Sequence, residues 1–230
     1  MKGVFMLTGM MAILFAVSTI FFQDDFTDGD AFGWYTVGPS DYDVHEGRYH
    51  FSGGGAVNDA TSYRGDEGET MSTSDYSMCA DTEIDVGIFG GMMLRYSEGG
   101  EYNMMLVLSL PHQALNLYRW HWTSIELIDS YPLTVQAGTT YRMRMQCDGS
   151  SFTGRAWIPW ESEPENWFVF ASDTLSREGA AALFAAGTSK QVYDVYLSCF
   201  FDNVVVESST PLMLTQTTWA GIKQLNNSIR

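Results

Sequence analysis

The chain has 230 residues, 45% hydrophobic and 14% aromatic, enough for one packed core and short for two. Charged residues make up only 17%, and 22 glycines suit strands and tight turns better than long helices. A formal net charge of −16, with 12 Lys and Arg against 28 Asp and Glu, leaves no basic patch for a nucleic acid or an anionic membrane. The acidity serves solubility, or else some of the carboxylates hold a hard cation such as Ca²⁺.

Residues 1–18 read as a leader. Lys2 supplies the positive start, Val4 to Val17 is mostly apolar, and Ala16-Val17-Ser18 is a small-x-small cleavage pattern. The apolar run continues to Phe22, so a retained anchor helix is the alternative; Asp24 and Asp25 follow closely and favour export. From residue 20 to 207 helical periodicity gives way to short runs of period-two alternation bounded by Gly, Ser, Asp or Pro. These predict strands at 20–26, 33–37, 42–52, 56–63, 76–89, 92–97, 102–110, 114–120, 123–129, 140–147, 151–158, 167–172, 181–186 and 193–206. Glu46-Gly47, Gly99-Gly100, Leu110-Pro111 and Asp148-Gly149 carry turn chemistry. So many regularly spaced strands predict an all-β fold, a two-sheet antiparallel jelly-roll sandwich over residues 19–207.

Alternation is clearest at Tyr141 to Cys147: Tyr141, Met143, Met145 and Cys147 share one face, Arg142, Arg144 and Gln146 the other. Phe152 to Trp157 then pairs back as a hairpin, and 64–75 is a solvated loop. Phe200-Phe201-Asp202-Asn203-Val204-Val205-Val206 finds its mate in Phe21 to Phe26, which places the first and last strands together. Cys79, Cys147 and Cys199 form no zinc motif. An oxidising compartment would permit one disulfide among them and leave one thiol, with the pair unassigned. In the tail, 208–230, Trp219, Ile222 and Leu225 have helical spacing behind Thr217 or Thr218 as a cap. It reads as a short packed helix, a frayed end, or a detachable segment for cell-surface anchoring.

Sugar recognition on sandwiches relies on aromatic rings stacked against pyranose faces, with polar groups for the hydroxyls. In Leu117 to Trp122, the rings of Tyr118, Trp120 and Trp122 alternate with Arg119 and His121 and so lie on one face. Glu83, Asp85 and Arg95, on neighbouring strands, are expected to supply hydrogen bonds there. The competing reading makes these rings core. Trp157 and Trp167 are assigned to the core or a bracing loop. His45, His50, His112 and His121 show no metal spacing, and no Ser-His-Asp signature has a recognisable context.

Phe22 to Asp30 followed by Trp34, Val44 to Tyr49, Gly91 to Tyr96, Trp157 with Glu163 to Trp167, and Phe201 to Val206 resemble, in that order, elements of concanavalin A-like lectin/glucanase domains. That superfamily includes family 16 glycoside hydrolases, laminin-G-like modules and the 3-keto-disaccharide hydrolase group. The resemblance implies a jelly roll and, in the family 16 pattern, a Glu-x-Asp-x-x-Glu strand whose glutamates stand about 5–5.5 Å apart. Glu83 and Asp85 match its first part, and Ile88 replaces its last glutamate. The resemblance further implies a structural Ca²⁺ held by Asp25, the Gly47 carbonyl and Asp202 on the convex side, with ligand recognition on the concave sheet. The reading is a secreted or cell-surface, non-catalytic module for a poly- or oligosaccharide, with no nucleic acid and no membrane span after leader cleavage. A hydrolase centred on Glu83 and Asp85, or a surface interaction domain, are the alternatives.

Overall fold

A computed structural model describes residues 16–38, 40–53, 59–97, 103–121, 124–174, 178–189, 195–209 and 212–213. In chain order the strands are β1 (Ala16–Val17), β2 (Ile20–Asp24), β3 (Tyr35–Val37), β4 (Asp41–His45), β5 (Arg48–Gly53) and β6 (Asp59–Arg64). They continue as β7 (Tyr76–Val86), β8 (Phe89–Tyr96), β9 (Asn103–Ser109), β10 (Ala114–His121), β11 (Ser124–Pro132) and β12 (Thr140–Asp148). The last are β13 (Ser151–Trp157), β14 (Val169–Ser172), β15 (Ala180–Ala186), β16 (Thr188–Ser189), β17 (Val195–Ser208) and β18 (Leu212–Met213). The sandwich occupies one unit, Ile20–Thr210. In the other, β1 pairs with β18. The remainder of the predicted leader and the helical spacing at 219–225 lie outside the described residues. Among the described residues no helix is long and apolar enough to cross a membrane.

The sandwich has two antiparallel sheets. The smaller runs β11-β10-β9-β8-β15-β6-β3, and the larger runs β14-β13-β12-β7-β17-β5-β4, with β2 and β16 also paired to β17. The jelly roll expected from the alternation is therefore the fold. Predicted strand 42–52 is a hairpin, β4–β5, broken at Glu46 and Gly47. Both have positive φ, 53° and 72°, as a primed two-residue turn requires.

Side chains from the two inner faces form one core. Tyr141, Met143, Met145 and Cys147 of β12 are buried in it, while Arg142 and Arg144 point outward. Met92 and Leu94 of β8, Leu106 and Leu108 of β9 and Leu183 of β15 close it from the other sheet. The first and last strands of the sandwich do lie together, with Val204 opposite Asp24 and Val206 opposite Phe22.

β17 carries a bulge. Its partner residues on β7 run Asp202↔Asp81 and then Val205↔Cys79. Asn203, at φ 50°, absorbs the extra residue. Leu197, Cys199 and Phe201 therefore face the core before the bulge, and Val204 and Val206 after it.

Consecutive strands β7 and β8 belong to different sheets. At Gly87, with φ 150°, a Cβ would stand 2.9 Å from the Ala186 carbonyl oxygen. Ile88 then donates its N–H to that same oxygen at 2.9 Å, so the chain crosses between layers where a hairpin would have kept it in one.

The disulfide an oxidising compartment would permit is not formed: Cys79, Cys147 and Cys199 are all free and buried. Burial raises the Cys147 thiol from its ordinary 9.0 to about 11 and pushes Cys79 and Cys199 upward as well. It also raises the Tyr49 phenol from 10.0 to about 12. Because folded-state values lie above unfolded ones, this stability is fully present below about pH 9 and is lost as the pH climbs through 9–12. The urea midpoint is expected to be lower at pH 11 than at pH 8, and a thiol reagent at pH 8 to label only unfolded chain. Rapid labelling of the native protein would contradict the burial.

Candidate functional site

The outer face of the smaller sheet carries a second, separate apolar cluster. Strand register builds its floor in rows. One row runs Tyr35, Tyr63, Ala182, Met93, Met105, Tyr118. The next runs Val37, Thr61, Phe184, Gly91, Val107, Asn116, and the third Asp59, Ala186, Phe89, Ser109, Ala114. Small residues at Ala182, Gly91 and Ala186 hollow the middle of each row. The hollow is a cavity of about 400 Å³ lined by Phe89, Met105, Val107, Tyr118 and Phe184. Asp59 stands at its mouth, and its partly desolvated setting pushes its carboxyl above the usual carboxylate range.

Tyr118 and Trp120 both belong to this face, as their spacing predicts. Tyr118 meets Phe89 edge-on at 6.1 Å, and Trp120 meets Phe184 at 6.3 Å. Asn116 fixes the phenol by donating from Nδ2 to Tyr118 Oη at 3.1 Å, and accepts from Ser130 Oγ at 2.7 Å. Tyr35 stacks on Tyr63 at the far end of its row, centroids 5.5 Å apart. Trp122 lies outside the described residues. Sequence reading missed Phe89, Phe184 and Tyr63, because each belongs to a strand far from 117–122 in sequence.

Glu83, Asp85 and Arg95 do not join them. The crossing at Gly87 puts Glu83 and Asp85 on the larger sheet. Glu83 accepts from Arg48 Nη1 at 3.0 Å and Thr140 Oγ1 at 2.7 Å, and Asp85 is exposed to solvent. Arg95 is on β8, but its positive φ of 55° marks an irregularity in that strand, and its guanidinium leaves the sheet's outer face. Only 1% exposed, it donates to the Ser74 carbonyl at 3.0 Å and the Gly149 carbonyl at 2.6 Å, meets Asp75 at 3.3 Å, and lies 4.8 Å over Phe152. It braces one sheet to the other. Arg95→Met is expected to cost roughly 1–3 kcal/mol, since buried carbonyls lose a charged donor. A lowered urea midpoint with unchanged slope measures this, and an unchanged midpoint would remove the bracing role.

The expected cation ligands, Asp25, Gly47 and Asp202, belong to β17 and the ends of the strands that flank it. One side of β17 is lined first by β5, up to Phe201↔Tyr49, and then by β2, from Val204↔Asp24. Asp202 and Asn203 occupy the break between them. Gly47 lies just beyond one flanking strand end and Asp25 just beyond the other. Burial, then Asp81 and Asp25, raise the Asp202 carboxyl. Asp25 is lowered by Thr27, whose Oγ1 donates to Asp25 Oδ1 at 2.7 Å. Asp24 is engaged elsewhere, accepting from Trp34 Nε1 at 2.9 Å. Among the described residues, no three His, Cys, Asp or Glu side chains gather as a metal cluster, so an ion here needs backbone or amide oxygens as well.

The larger sheet's outer face holds one more arrangement that sequence spacing does not show. His50 Nδ1 meets Asp43 Oδ1 at 3.0 Å, and its Nε2 meets Ser198 Oγ at 3.2 Å. The order matches a nucleophilic triad. Ser198, however, sits mid-strand, paired with Ser52 and Val86 on its two sides.

Neither a protein-family model nor a curated protein sequence matches the chain. Its structure is similar to the carbohydrate binding module CBM66 from Bacillus subtilis, at TM-score 0.60 and 17% identity over 76% of this chain and 96% of that one. It is similar to SCLam, a non-specific endo-beta-1,3(4)-glucanase from family GH16, at TM-score 0.57 and 8% identity over 86% of this chain and 94% of that one. A xylan beta-1,4-xylosidase from Bacillus halodurans C-125 matches at TM-score 0.60 and 12% identity over 81% of this chain; the match covers 39% of that longer protein. The chain has the concanavalin A-like jelly-roll fold, one that occurs in carbohydrate-binding modules and in glycosidases.

Proposed function

We propose that the sandwich is a carbohydrate-binding module, secreted or held at a cell surface, that takes a neutral saccharide chain across the outer face of the smaller sheet. The observation that carries this reading is the placement of Tyr118 and Trp120 on one face, beside Phe89 and Phe184, over a floor of small residues. Rings at the sides and a hollow centre suit the apolar face of a pyranose, with the Asp59 carboxylate and the Tyr118 hydroxyl near its hydroxyls. The fold's occurrence in a carbohydrate binding module supports the same reading. Export by the leader and anchoring by the tail complete it. Glu83 and Asp85, on the opposite sheet, are assigned no catalytic part.

Trp120→Ala and Tyr118→Ala are each expected to weaken retention on xylan or mixed-linkage β-glucan by at least ~30-fold, the about 2 kcal/mol that marks a binding hot spot. Affinity gel electrophoresis measures this. A wild-type protein retained by neither polymer would remove the carbohydrate reading.

We further propose a structural Ca²⁺ at the break beside Asp202, held by Asp25, Asp202 and the Gly47 carbonyl. Two carboxylates close enough for Asp25 to raise Asp202, together with a backbone oxygen, suit a hard cation. Calcium at 100 times its dissociation constant would add about 2.7 kcal/mol. The melting temperature should rise with calcium, fall with a chelator, and lose that response in Asp202→Ala. Identical melting with calcium and with chelator sinks the site.

A further inference from the structure

A second recess opens at one edge of the sandwich, between the loop after β11 and the loop after β13. It is a cleft of about 700 Å³ whose lining includes Tyr131, Tyr141, Gln136, Trp157, Trp160 and Glu161. Trp160 is 81% exposed, whereas tryptophan is highly buried on average.

Both walls are fixed. Tyr141 Oη donates to the Thr134 carbonyl at 2.9 Å and accepts from Gln136 N at 3.1 Å. Gln113 clamps Val135 through both its amide atoms, at 2.8 and 3.2 Å. On the other wall, Arg155 donates to the Pro164 carbonyl at 2.5 Å and lies 4.1 Å over Trp167. The turn carrying Trp160 closes by Glu161 N donating to the Ile158 carbonyl at 2.9 Å. Tyr131, 39% exposed, is held parallel to Phe168 at 4.3 Å. A cleft with this much order in its walls loses little freedom when it binds.

Its chemistry selects the ligand. Rings alternate with an amide, hydroxyls of Thr134 and Thr139 and a carboxylate, so an occupant must present apolar faces and hydroxyls in turn. A purely apolar occupant would leave those polar groups unpaired. Among the described residues Glu161 is the one charged side chain lining the cleft. With a net charge of −16 on the protein, uronic or sulfated chains are repelled.

We propose that this cleft is a second saccharide-binding site for neutral glycan chains, with Trp160 and Tyr131 as stacking platforms and Gln136 and Glu161 as hydroxyl partners. It goes beyond the face assigned above and rests on different residues. Two sites on one polymer raise retention through effective concentration, without any new contact.

The test compares wild type, Trp160→Ala, Trp160→Tyr, Trp120→Ala and the Trp120/Trp160 double alanine variant in gels containing xylan, mixed-linkage β-glucan or polygalacturonate. Trp160 is so exposed that its replacement should leave the urea midpoint unchanged. The expected result is at least ~10-fold weaker retention of Trp160→Ala on a neutral polymer, substantial rescue by Trp160→Tyr, and a further loss in the double variant. Loss in Trp160→Ala with none in Trp120→Ala keeps the cleft and removes the face. Wild-type retention in Trp160→Ala overturns the cleft, and with loss in Trp120→Ala it leaves the face standing alone. Stronger retention on polygalacturonate than on either neutral polymer overturns the choice of ligand. A change in sedimentation by Trp160→Ala without a change in retention makes the cleft a protein contact and overturns the proposal.

Discussion

Everything in the larger sheet depends on the phase of β17. This strand pairs with β7 along most of its length and with both β5 and β2 on its other side. Strict alternation from Phe201 would turn Asn203 and Val205 inward and send Val204 and Val206 to solvent. The left-handed residue Asn203 resets the count, and its amide donates to Asp81 at 2.9 Å and Asp202 at 3.1 Å. Asparagine tolerates that backbone region better than most side chains. The same bulge lies at the gap between β5 and β2, so core packing and the proposed ion position share one cause.

The two outer faces divide the chemistry. On the larger sheet, Arg142 bonds Asp81, Arg48 bonds Glu83, and Arg144 bridges Glu163 and Glu207. Arg155 joins this group through Glu163. A partly exposed network of this kind is stronger than isolated pairs. The smaller sheet's outer face is apolar and ringed instead, and the edge cleft mixes rings with an amide, hydroxyls and one carboxylate. The two proposed ligand surfaces therefore offer rings and hydrogen-bonding groups rather than ion pairs.

Strand positions were legible because alternation is a local property. Tyr141 to Cys147 needed only period two, and Tyr118 with Trp120 needed only the same parity. The partner of Phe201 to Val206 was legible too, since two apolar, carboxylate-bearing runs stood at opposite ends of the chain. Which sheet a strand joins is not local. Glu83 and Arg95 read as neighbours because β7 and β8 are consecutive, yet one glycine at residue 87 separates them into two layers. Arg95 was hidden twice, since its left-handed backbone breaks the parity that would have aimed it. Trp160 lies on a loop of no periodicity and Tyr131 at the far end of β11, so no local pattern marks the cleft they share.

β2 and the end of β17 are antiparallel, and Ile20 lies opposite Glu207. The sandwich's incoming and outgoing strands thus reach the surface side by side. Tension applied to these two ends in opposite directions would open the β2–β17 ladder one hydrogen bond at a time, in the manner of a zipper, and would not load all of its bonds together in shear. The first rupture would free β2, and with it Phe22 from the core and Asp25 from beside Asp202. As a mechanical element the module is built to yield early at this seam. The β7–β17 pairing behind it would still stand.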